Sequence, residues 1–387
     1  MQYRTFGALD WKPSALGFGA MRLPLLNDDA GQIDAPLATA MIRYAIDHGV
    51  NYVDTAWSYH KGMGEPFLAQ ALADGYRAKV SLATKLPTWL IQSLDDCDTY
   101  LNRQLERLQT DVIDFYLLHS LHQERWHALR ALNVTAWAEK QLAAGKIRHI
   151  GFSFHDRYEA FQEILDDYDG WDFCQIQYNY AQPEIQAGTR GLRHAHGRGV
   201  GVAVMEPLFG GFLAGPRLPP GANRLFEEAG IDPVSSALRW LWNQPEPAVV
   251  LSGMNERVQV RDNLRLAGTA EAGCLTAREA QVLERVCRQM RESVPIACSQ
   301  CGYCLASCTV GVKIPVMFDI YNKHLLVDRK HTLQPALYRS FLPNEKASAC
   351  IRCGACLKRC PQSIDIPAWM EKVAAEFEGG SGSDYKD

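Results

Sequence analysis

Leu16-Gly17-Phe18-Gly19-Ala20-Met21-Arg22 ends the first strand-like run of the chain, and its reading decides between two α/β folds. An open doubly wound sheet that binds a dinucleotide places G-x-G-x-x-G directly after its first strand. The run at 16–22 does not fit that pattern. Outward from it, from about residue 14 to 268, short β-branched or aromatic runs alternate with helix-length segments. The strand-like runs are Ala15–Ala20, Asn51–Asp54, Val80–Thr84, Val112–Leu118, His149–Phe152, Phe173–Gln177, Gly199–Met205 and Ala248–Gly253. Eight strand–helix units in roughly 250 residues are the arithmetic of an α/β fold of one kind, the (β/α)8 TIM barrel. Tyr3–Phe6 and Trp11–Ser14, around Gly7, are expected to pair as a hairpin across the barrel floor.

The whole chain has 387 residues, enough for two or three domains at ~150 residues each. No apolar run approaches the ~18 residues that span a bilayer, and Met1-Gln2-Tyr3-Arg4-Thr5 lacks a secretory pattern. A net charge of −4 argues against a general nucleic-acid-binding surface. Neither a membrane nor a nucleic acid is expected as a partner. Eight of the 12 cysteines fall between Cys298 and Cys360. A disulfide framework staples small secreted chains, so this cluster reads as metal ligation in a reducing cytoplasm. The domains expected are a barrel over 1–275, a connecting helix over 276–295 and a cysteine-rich domain over 296–378. Residues 379–387, beginning Gly379-Gly380-Ser381 and ending Asp384-Tyr385-Lys386-Asp387, read as a linker and the start of a FLAG epitope. Residues 296–378 carry ten Lys/Arg against seven Asp/Glu, so the C-terminal domain is basic while the chain as a whole is acidic.

Within that domain Cys298-x2-Cys301-x2-Cys304-x3-Cys308 recurs as Cys350-x2-Cys353-x2-Cys356-x3-Cys360, each ligand displaced by 52 residues. The duplication extends past the cysteines, pairing Gly302 with Gly354, Val312 with Ile364, Ile314 with Ile366 and Pro315 with Pro367. Three cysteines spaced by two let one turn present three thiolates to a cubane, and the fourth of such a run ligates the other cluster. One [4Fe–4S] cluster is therefore assigned to Cys298, Cys301, Cys304 and Cys360, the other to Cys350, Cys353, Cys356 and Cys308. Structural zinc, which favours separated Cys-x2-Cys pairs, fits eight thiolates in two runs of four poorly. Pro361 follows the second run, whereas Thr309 takes that place in the first. The domain resembles the α-helical ferredoxin modules fused to several redox enzymes, with Val316–Asn322 and Ala336–Phe341 as parts of the helical stretch between the motifs.

Active sites of such barrels lie at the C-terminal ends of the strands. There stand Asp54 and Tyr59 after the second strand, Lys85 at the end of the third and His119 at the end of the fourth. The chain over about 2–268 resembles the aldo-keto reductase family. The resemblance is carried by Tyr3-Arg4-Thr5-Phe6-Gly7, Asp54-Thr55-Ala56 with Tyr59, Lys85, Leu118-His119, Gly145–Ser153, and Gly253 through Asp262-Asn263. It implies that Tyr59 is the general acid, that Lys85 paired with Asp54 lowers the phenol's pKa, and that His119 orients the substrate oxygen. Ser153 and Gln175 match the residues that hold a nicotinamide carboxamide. Phe154 stands where the family usually has Asn, and Met205 where it has a stacking tyrosine; a thioether can also cover an aromatic ring. Gly210-Gly211 would bring backbone near the pyrophosphate. Gly253, Arg257, Gln259 and Asn263 belong to the loop and helix that grip the adenosine phosphate, and the arginine many members use there aligns with Gln259. The cofactor implied is NADP(H) or NAD(H), with a lean to the former. FMN is the further candidate, because the lining differs at Phe154 and Met205 and a flavin converts electron pairs to single electrons.

These features together imply an oxidoreductase acting on a small-molecule carbonyl/alcohol pair by hydride transfer. Its two clusters would exchange electrons with a ferredoxin- or flavodoxin-like partner. Two alternatives stand beside it: an NAD(P)H carbonyl reductase with structural clusters, and a non-enzymatic electron-transfer subunit. Trp57, Trp89 and Trp126 are expected to wall the substrate pocket.

Overall fold

A computed structural model of the chain describes residues 1–215, 218–296, 298, 302, 304–326, 334–360 and 363–379; Cys301, Pro361 and 380–387 lie outside the described residues. The chain divides into two compact units, Met1–Gly210 with Pro233–Ala280, and Gly211–Asp232 with the chain from Gln281.

The first unit is a closed parallel barrel of β1 (Leu16–Gly19), β2 (Tyr52–Asp54), β3 (Ser81–Leu86), β4 (Ile113–Leu121), β5 (Ile147–Phe154), β6 (Phe173–Gln177), β7 (Gly201–Met205) and β8 (Pro247–Ser252). All eight expected strands are present, and β8 pairs with β1 to close the ring. The strands are buried almost throughout, as their β-branched and aromatic composition requires when side chains fill the inside and helices cover the outside. The helices that follow β1 to β3 are α1 (Ala35–Asp47), α2 (Gly64–Ala71) and α3 (Leu94–Leu108). The remaining helices up to β8 and beyond are α4 (Gln123–Ala131), α5 (Val134–Ala143), α6 (Tyr158–Asp166), α7 (Gly188–Gly197), α8 (Pro220–Ala229), α9 (Pro233–Trp242) and α10 (Arg257–Ala267). Helix α8 belongs to the second unit.

The N-terminal segment does form antiparallel bridges, Tyr3 with Ser14 and Phe6 with Leu9. It carries Phe6 into the barrel, where the ring lies 5.5 Å from Phe115 and 5.6 Å from Phe173. Gly201 exists to admit that ring: a Cβ there would sit 2.2 Å from Phe6 Cδ2. The floor is thus plugged by aromatics, which leaves the opposite rim for chemistry.

The second unit repeats itself in three dimensions. Helix α11 (Ala277–Ser293) precedes α12 (Ile314–Leu326), α13 (Gln334–Arg339) and α14 (Ile366–Glu378). Helices α12 and α14 are both 13 residues long and begin 52 residues apart. Gly302 and Gly354 take φ of 76° and 74°, left-handed values that glycine adopts without strain. Cys304 and Cys356 are equally buried, each 7 % exposed, and each is followed by a single 3-10 turn.

Candidate functional site

The rim of the barrel brings the four predicted catalytic side chains into one cluster. Lys85, on β3, is completely buried. Its Nζ donates to both Asp54 carboxylate oxygens at 2.8 Å, to the Thr55 carbonyl at 2.7 Å and to the Tyr59 hydroxyl at 3.3 Å. A buried ammonium needs such a full set of acceptors to remain charged. Burial alone would lower the Lys85 pKa, but Asp54 and Tyr59 raise it overall. Burial also lifts the Asp54 carboxyl, against the pull of Lys85. The bidentate 2.8 Å geometry favours the ion pair, and the lysine is held in its charged form.

Lys85 acts on the Tyr59 phenol in the expected direction, but the net shift is upward. Burial is the larger effect and the phenol lies above its ordinary 10.0. It is therefore a protonated acid at rest. The His119 ring lies edge-on to Tyr59 at 6.3 Å. Burial, then Lys85, His155 and Arg125, push its imidazole well below 6.5, so it is neutral. Its buried Nδ1 has no hydrogen-bond partner among the described residues. Tyr59 opens a turn in which His60 and Lys61 take left-handed φ of 53° each. His60 anchors that turn, with Nε2 3.0 Å from the Ala20 carbonyl and Nδ1 3.2 Å from the Ala30 carbonyl.

Behind the rim lies a polar network that sequence reading missed. Glu65 on α2 is fully buried; it accepts from Thr84 Oγ1 at 2.7 Å and Gln104 Nε2 at 2.6 Å, and its second oxygen meets Arg107 Nε at 3.2 Å. Gln104 Nε2 also donates to the Lys85 carbonyl at 3.0 Å, and Gln104 Oε1 accepts from Tyr116 Oη at 2.7 Å. Arg107 lies over the Trp57 ring at 4.1 Å and donates to the Gly62 carbonyl. Glu65 thereby ties the Tyr59 turn to the strand that carries Lys85. A signal was present: Cys97, Leu101, Gln104 and Leu108 form the buried stripe of α3, and a glutamine in such a stripe needs a buried partner.

The predicted cofactor residues fall into two groups. Ser153 and Gln175 are register partners on β5 and β6, both buried. Ser153 Oγ accepts from the Ser120 amide at 2.7 Å, and Gln175 Nε2 lies 3.5 Å from Met205 Sδ. Gln175 Oε1 is buried without a partner, an acceptor suited to the N–H of a carboxamide. Phe154 packs outward against Phe161 at 5.1 Å and is fully buried, so Met205 is left to carry the difference in the lining. Gly210 and Gly253 face each other across Arg22. A Cβ on Gly253 would lie 3.2 Å from Arg22 Cβ, and one on Gly210 3.5 Å from Arg22 Nη2. That arginine was in view in the opening sequence run, yet its place beside both glycines is a tertiary fact. Arg257 is exposed at the start of α10. Gln259 Oε1 accepts from the Asn255 amide at 3.0 Å, and buried Asn263 donates to Ser252 Oγ at 3.1 Å, holding α10 to β8. Of the three tryptophans, Trp89 is exposed beside His119 at 5.1 Å. Trp126 is core instead, its Nε1 donating to Asp167 at 2.8 Å.

In the second unit, Cys308, Cys350, Cys353 and Cys356 line one small hollow, with Gly354 and Val312. Burial, and then the charges of Cys350, Cys353 and Cys308, raise the Cys356 thiol. Cys308 from the first run thus lines the same hollow as three cysteines of the second. Among the described residues no group of three His, Cys, Asp or Glu is placed to hold one metal ion. Four thiols around one hollow are the donor set that a [4Fe–4S] cluster takes. Cys298, Cys304 and Cys360 pack in the same apolar cluster as that ring.

A parallel eight-stranded barrel with this rim defines a TIM-barrel oxidoreductase. Residues 15–272 match the aldo/keto reductase family, two thirds of the chain, and the protein belongs to it. Residues 297–364 match the 4Fe-4S dicluster domain. An uncharacterized oxidoreductase of Bacillus subtilis, YrpG, is 25% identical over 310 residues, covering 68% of this chain and 90% of its own. The NADH-specific methylglyoxal reductase of Escherichia coli is 27% identical, covering 74% of this chain and 100% of its own. Among solved structures, holo AKR11C1 of Bacillus halodurans superposes with a TM-score of 0.61 at 26% identity over 74% of this chain and 96% of its own. A Klebsiella pneumoniae aldo-keto reductase in complex with NADPH gives 0.57 at 25% identity, over 74% and 95%. No described helix is long and apolar enough to cross a membrane.

Proposed function

We propose that the barrel interconverts a small-molecule carbonyl and its alcohol with NADP(H) or NAD(H), in a reducing cytoplasm. On this reading residues 1–275 are the reductase, 276–295 a connecting helix and 296–378 a domain holding two [4Fe–4S] clusters that exchange single electrons with a separate carrier. The observation that carries the reductase reading is Lys85 Nζ set between the Asp54 carboxylate and the Tyr59 hydroxyl.

The nicotinamide, when bound, supplies the hydride. Ser153 and Gln175 would hold its carboxamide, and Gln175 Oε1, unpartnered among the described residues, would accept from its N–H. Arg22, beside Gly210 and Gly253, would be the cation available to the cofactor phosphates. In the reductive direction, neutral His119 donates an N–H to the substrate oxygen and fixes the carbonyl plane. As negative charge grows on that oxygen, Tyr59 gives it the phenolic proton and the product leaves as an alcohol. The phenolate left on Tyr59 is stabilised by Lys85 and regains its proton from water. Burial that keeps the phenol protonated between turnovers and a cation that receives the phenolate are complementary: the first stores the proton, the second lowers the barrier to releasing it.

The test is NADPH and NADH oxidation with a panel of aldehydes and ketones, comparing the parent with Tyr59→Phe. General acid catalysis predicts a loss of roughly 10²–10⁴-fold in kcat. Equal turnover by both proteins would remove the reductase assignment.

A further inference from the structure

The duplication in the second unit supplies an internal control, because the two ligand loops share their cysteine spacing and differ in charge. From Cys298 to Cys308 the first loop contains no charged residue. From Cys350 to Cys360 the second contains Arg352, Lys358 and Arg359, where the first has Gln300, Ala306 and Ser307. The basic stretch extends back to Lys346, and no Asp or Glu lies between residues 346 and 360.

Lys358 and Arg359 follow Cys356 in a single exposed turn, and Ile351 and Arg352 line the four-cysteine hollow. Cys353, one of its four thiols, is exposed, and so are Arg352, Lys358 and Arg359. Two large apolar side chains stand among them, Ile351 at 64% exposure and Leu357 at 41%. Arg352 has an ion pair with Glu371 at 3.2 Å, but both side chains are more than 60% exposed, so solvent screens the pair and it gives way at small cost. In the first loop Leu305, the counterpart of Leu357, is half-buried, and so is Ser307. An apolar centre rimmed by like charges is the composition of a surface that recognises an oppositely charged protein.

We propose that this face, Ile351 and Leu357 ringed by Arg352, Lys358 and Arg359, docks an acidic one-electron carrier protein over Cys353. It makes the cluster held by Cys308, Cys350, Cys353 and Cys356 the one that meets the carrier. This inference rests on the proposal that the cysteines hold redox-active clusters. The step transfers one electron and no proton: the reduced cluster is oxidised by one electron and the carrier is reduced by one, or the reverse. The attraction is largely electrostatic, so it sets encounter rate and orientation and fades with salt.

The experiment uses the cluster-loaded full chain and an acidic flavodoxin as probe, with methyl viologen as a small cationic control. The key variant is Arg352→Gln with Lys358→Ala and Arg359→Ser, which writes the first loop's own residues into the second. Iron content and EPR spectra establish that it assembles. A charge reversal on the barrel, Lys140→Glu, serves as control. The parent and Lys140→Glu are expected to bind flavodoxin with an affinity that falls with ionic strength, and to exchange electrons with it. The triple variant should bind on the order of tenfold or more weakly and lose most of that salt dependence, while exchanging electrons with reduced methyl viologen at the parent rate. Unchanged flavodoxin affinity and salt slope in the triple variant would overturn the docking face. Clusters that exchange electrons with neither flavodoxin nor methyl viologen would instead overturn the redox reading beneath it.

Discussion

Replacing Glu65 by Ala tests whether the buried network behind the rim positions the catalytic pair. The carboxylate accepts from two donors, Thr84 Oγ1 at 2.7 Å and Gln104 Nε2 at 2.6 Å, and is ion-paired with Arg107 Nε at 3.2 Å. Burial raises the Glu65 carboxyl, and these three partners oppose that rise. Removing one member of a buried ion pair costs about 3–5 kcal/mol. The Arg107 side chain is 19% exposed and keeps the Trp57 ring, so the lower end applies, about 3 kcal/mol. That corresponds to a fall in melting temperature of about 6–12 °C for a domain of this size. Glu65→Gln retains the volume and one acceptor oxygen but faces Arg107 without charge, for a loss of about 1–2 kcal/mol. Catalysis should suffer as well, because Gln104 holds the Lys85 carbonyl and Arg107 holds the Gly62 carbonyl of the Tyr59 turn. Misplacement of a proton donor by a fraction of an ångström predicts a fall in kcat on the order of tenfold, with KM nearly unchanged. Barrel unfolding followed by tryptophan fluorescence, alongside steady-state kinetics on both variants, reads the two effects separately. If both variants unfold at the parental midpoint with parental kcat, Glu65 carries no charge that matters and the positioning argument fails.

Three further outcomes follow from the same geometry. Gly201→Ala puts a Cβ 2.2 Å from Phe6 Cδ2 and should cost about 1–3 kcal/mol in overpacking; a denaturation midpoint equal to the parent's would contradict it, and Phe6→Leu should restore part of the loss. Burial lowers the pKa of His60 and His119 below 6.5. Their folded values lie under the unfolded one, so stability is intact above pH 6.5 and is lost as pH falls below it, by up to about 1.4 kcal/mol per unit for each. His119→Asn should flatten that slope in unfolding curves from pH 7.5 to 5, and an unaltered slope would refute the assignment. Cys308→Ser should abolish the same EPR signal as Cys356→Ser and leave about half the iron, whereas Cys304→Ser and Cys360→Ser should share the other; loss of one signal by both Cys304→Ser and Cys308→Ser would refute the crossed ligation.

The parts of the molecule that were legible in advance are those encoded in chain-local periodicity. The eight strands announce themselves as short runs of Val, Ile, Leu, Phe and Tyr between helical periods, and the 52-residue repeat is visible by eye. Asp54, Lys85 and His119 could be placed on the rim because a strand's end fixes where its last residues go. What could not be read was the outcome of competing effects. The direction of the Tyr59 shift depends on how much water the fold removes, and only the folded barrel sets burial against Lys85. Phe154 looked like a change in the cofactor lining until β5 turned it toward Phe161, one residue of alternation away from Ser153. Trp126, an aromatic in a loop position, went to the core because Asp167 offers its indole N–H a partner. Glu65, a charged residue amid Phe67, Leu68 and Ala71 on the buried face of α2, was hidden for the opposite reason: its partners come from α3 and β3.

The two proposed chemistries count electrons differently, and the residues around each reflect it. At the barrel rim the proposed roles serve a proton or a closed-shell charge: Tyr59 would store the proton, Lys85 would receive the phenolate, and neutral His119 would donate without carrying charge. None of these groups changes its own oxidation state, which suits the movement of an electron pair with hydrogen. Around the cysteines the reverse holds. The first loop from Cys298 to Cys308 has no ionisable side chain other than its thiols and one tyrosine, and the second adds only cations that stay charged at any physiological pH or nearly so. Such a setting stabilises a change in electron count without a proton to accompany it. Two clusters that each take one electron would together hold the equivalent of one hydride, so the chain's two halves match in capacity even where their currencies differ. The duplication would account for two clusters, and on the proposed docking the cations of the second copy mark where the two copies diverge.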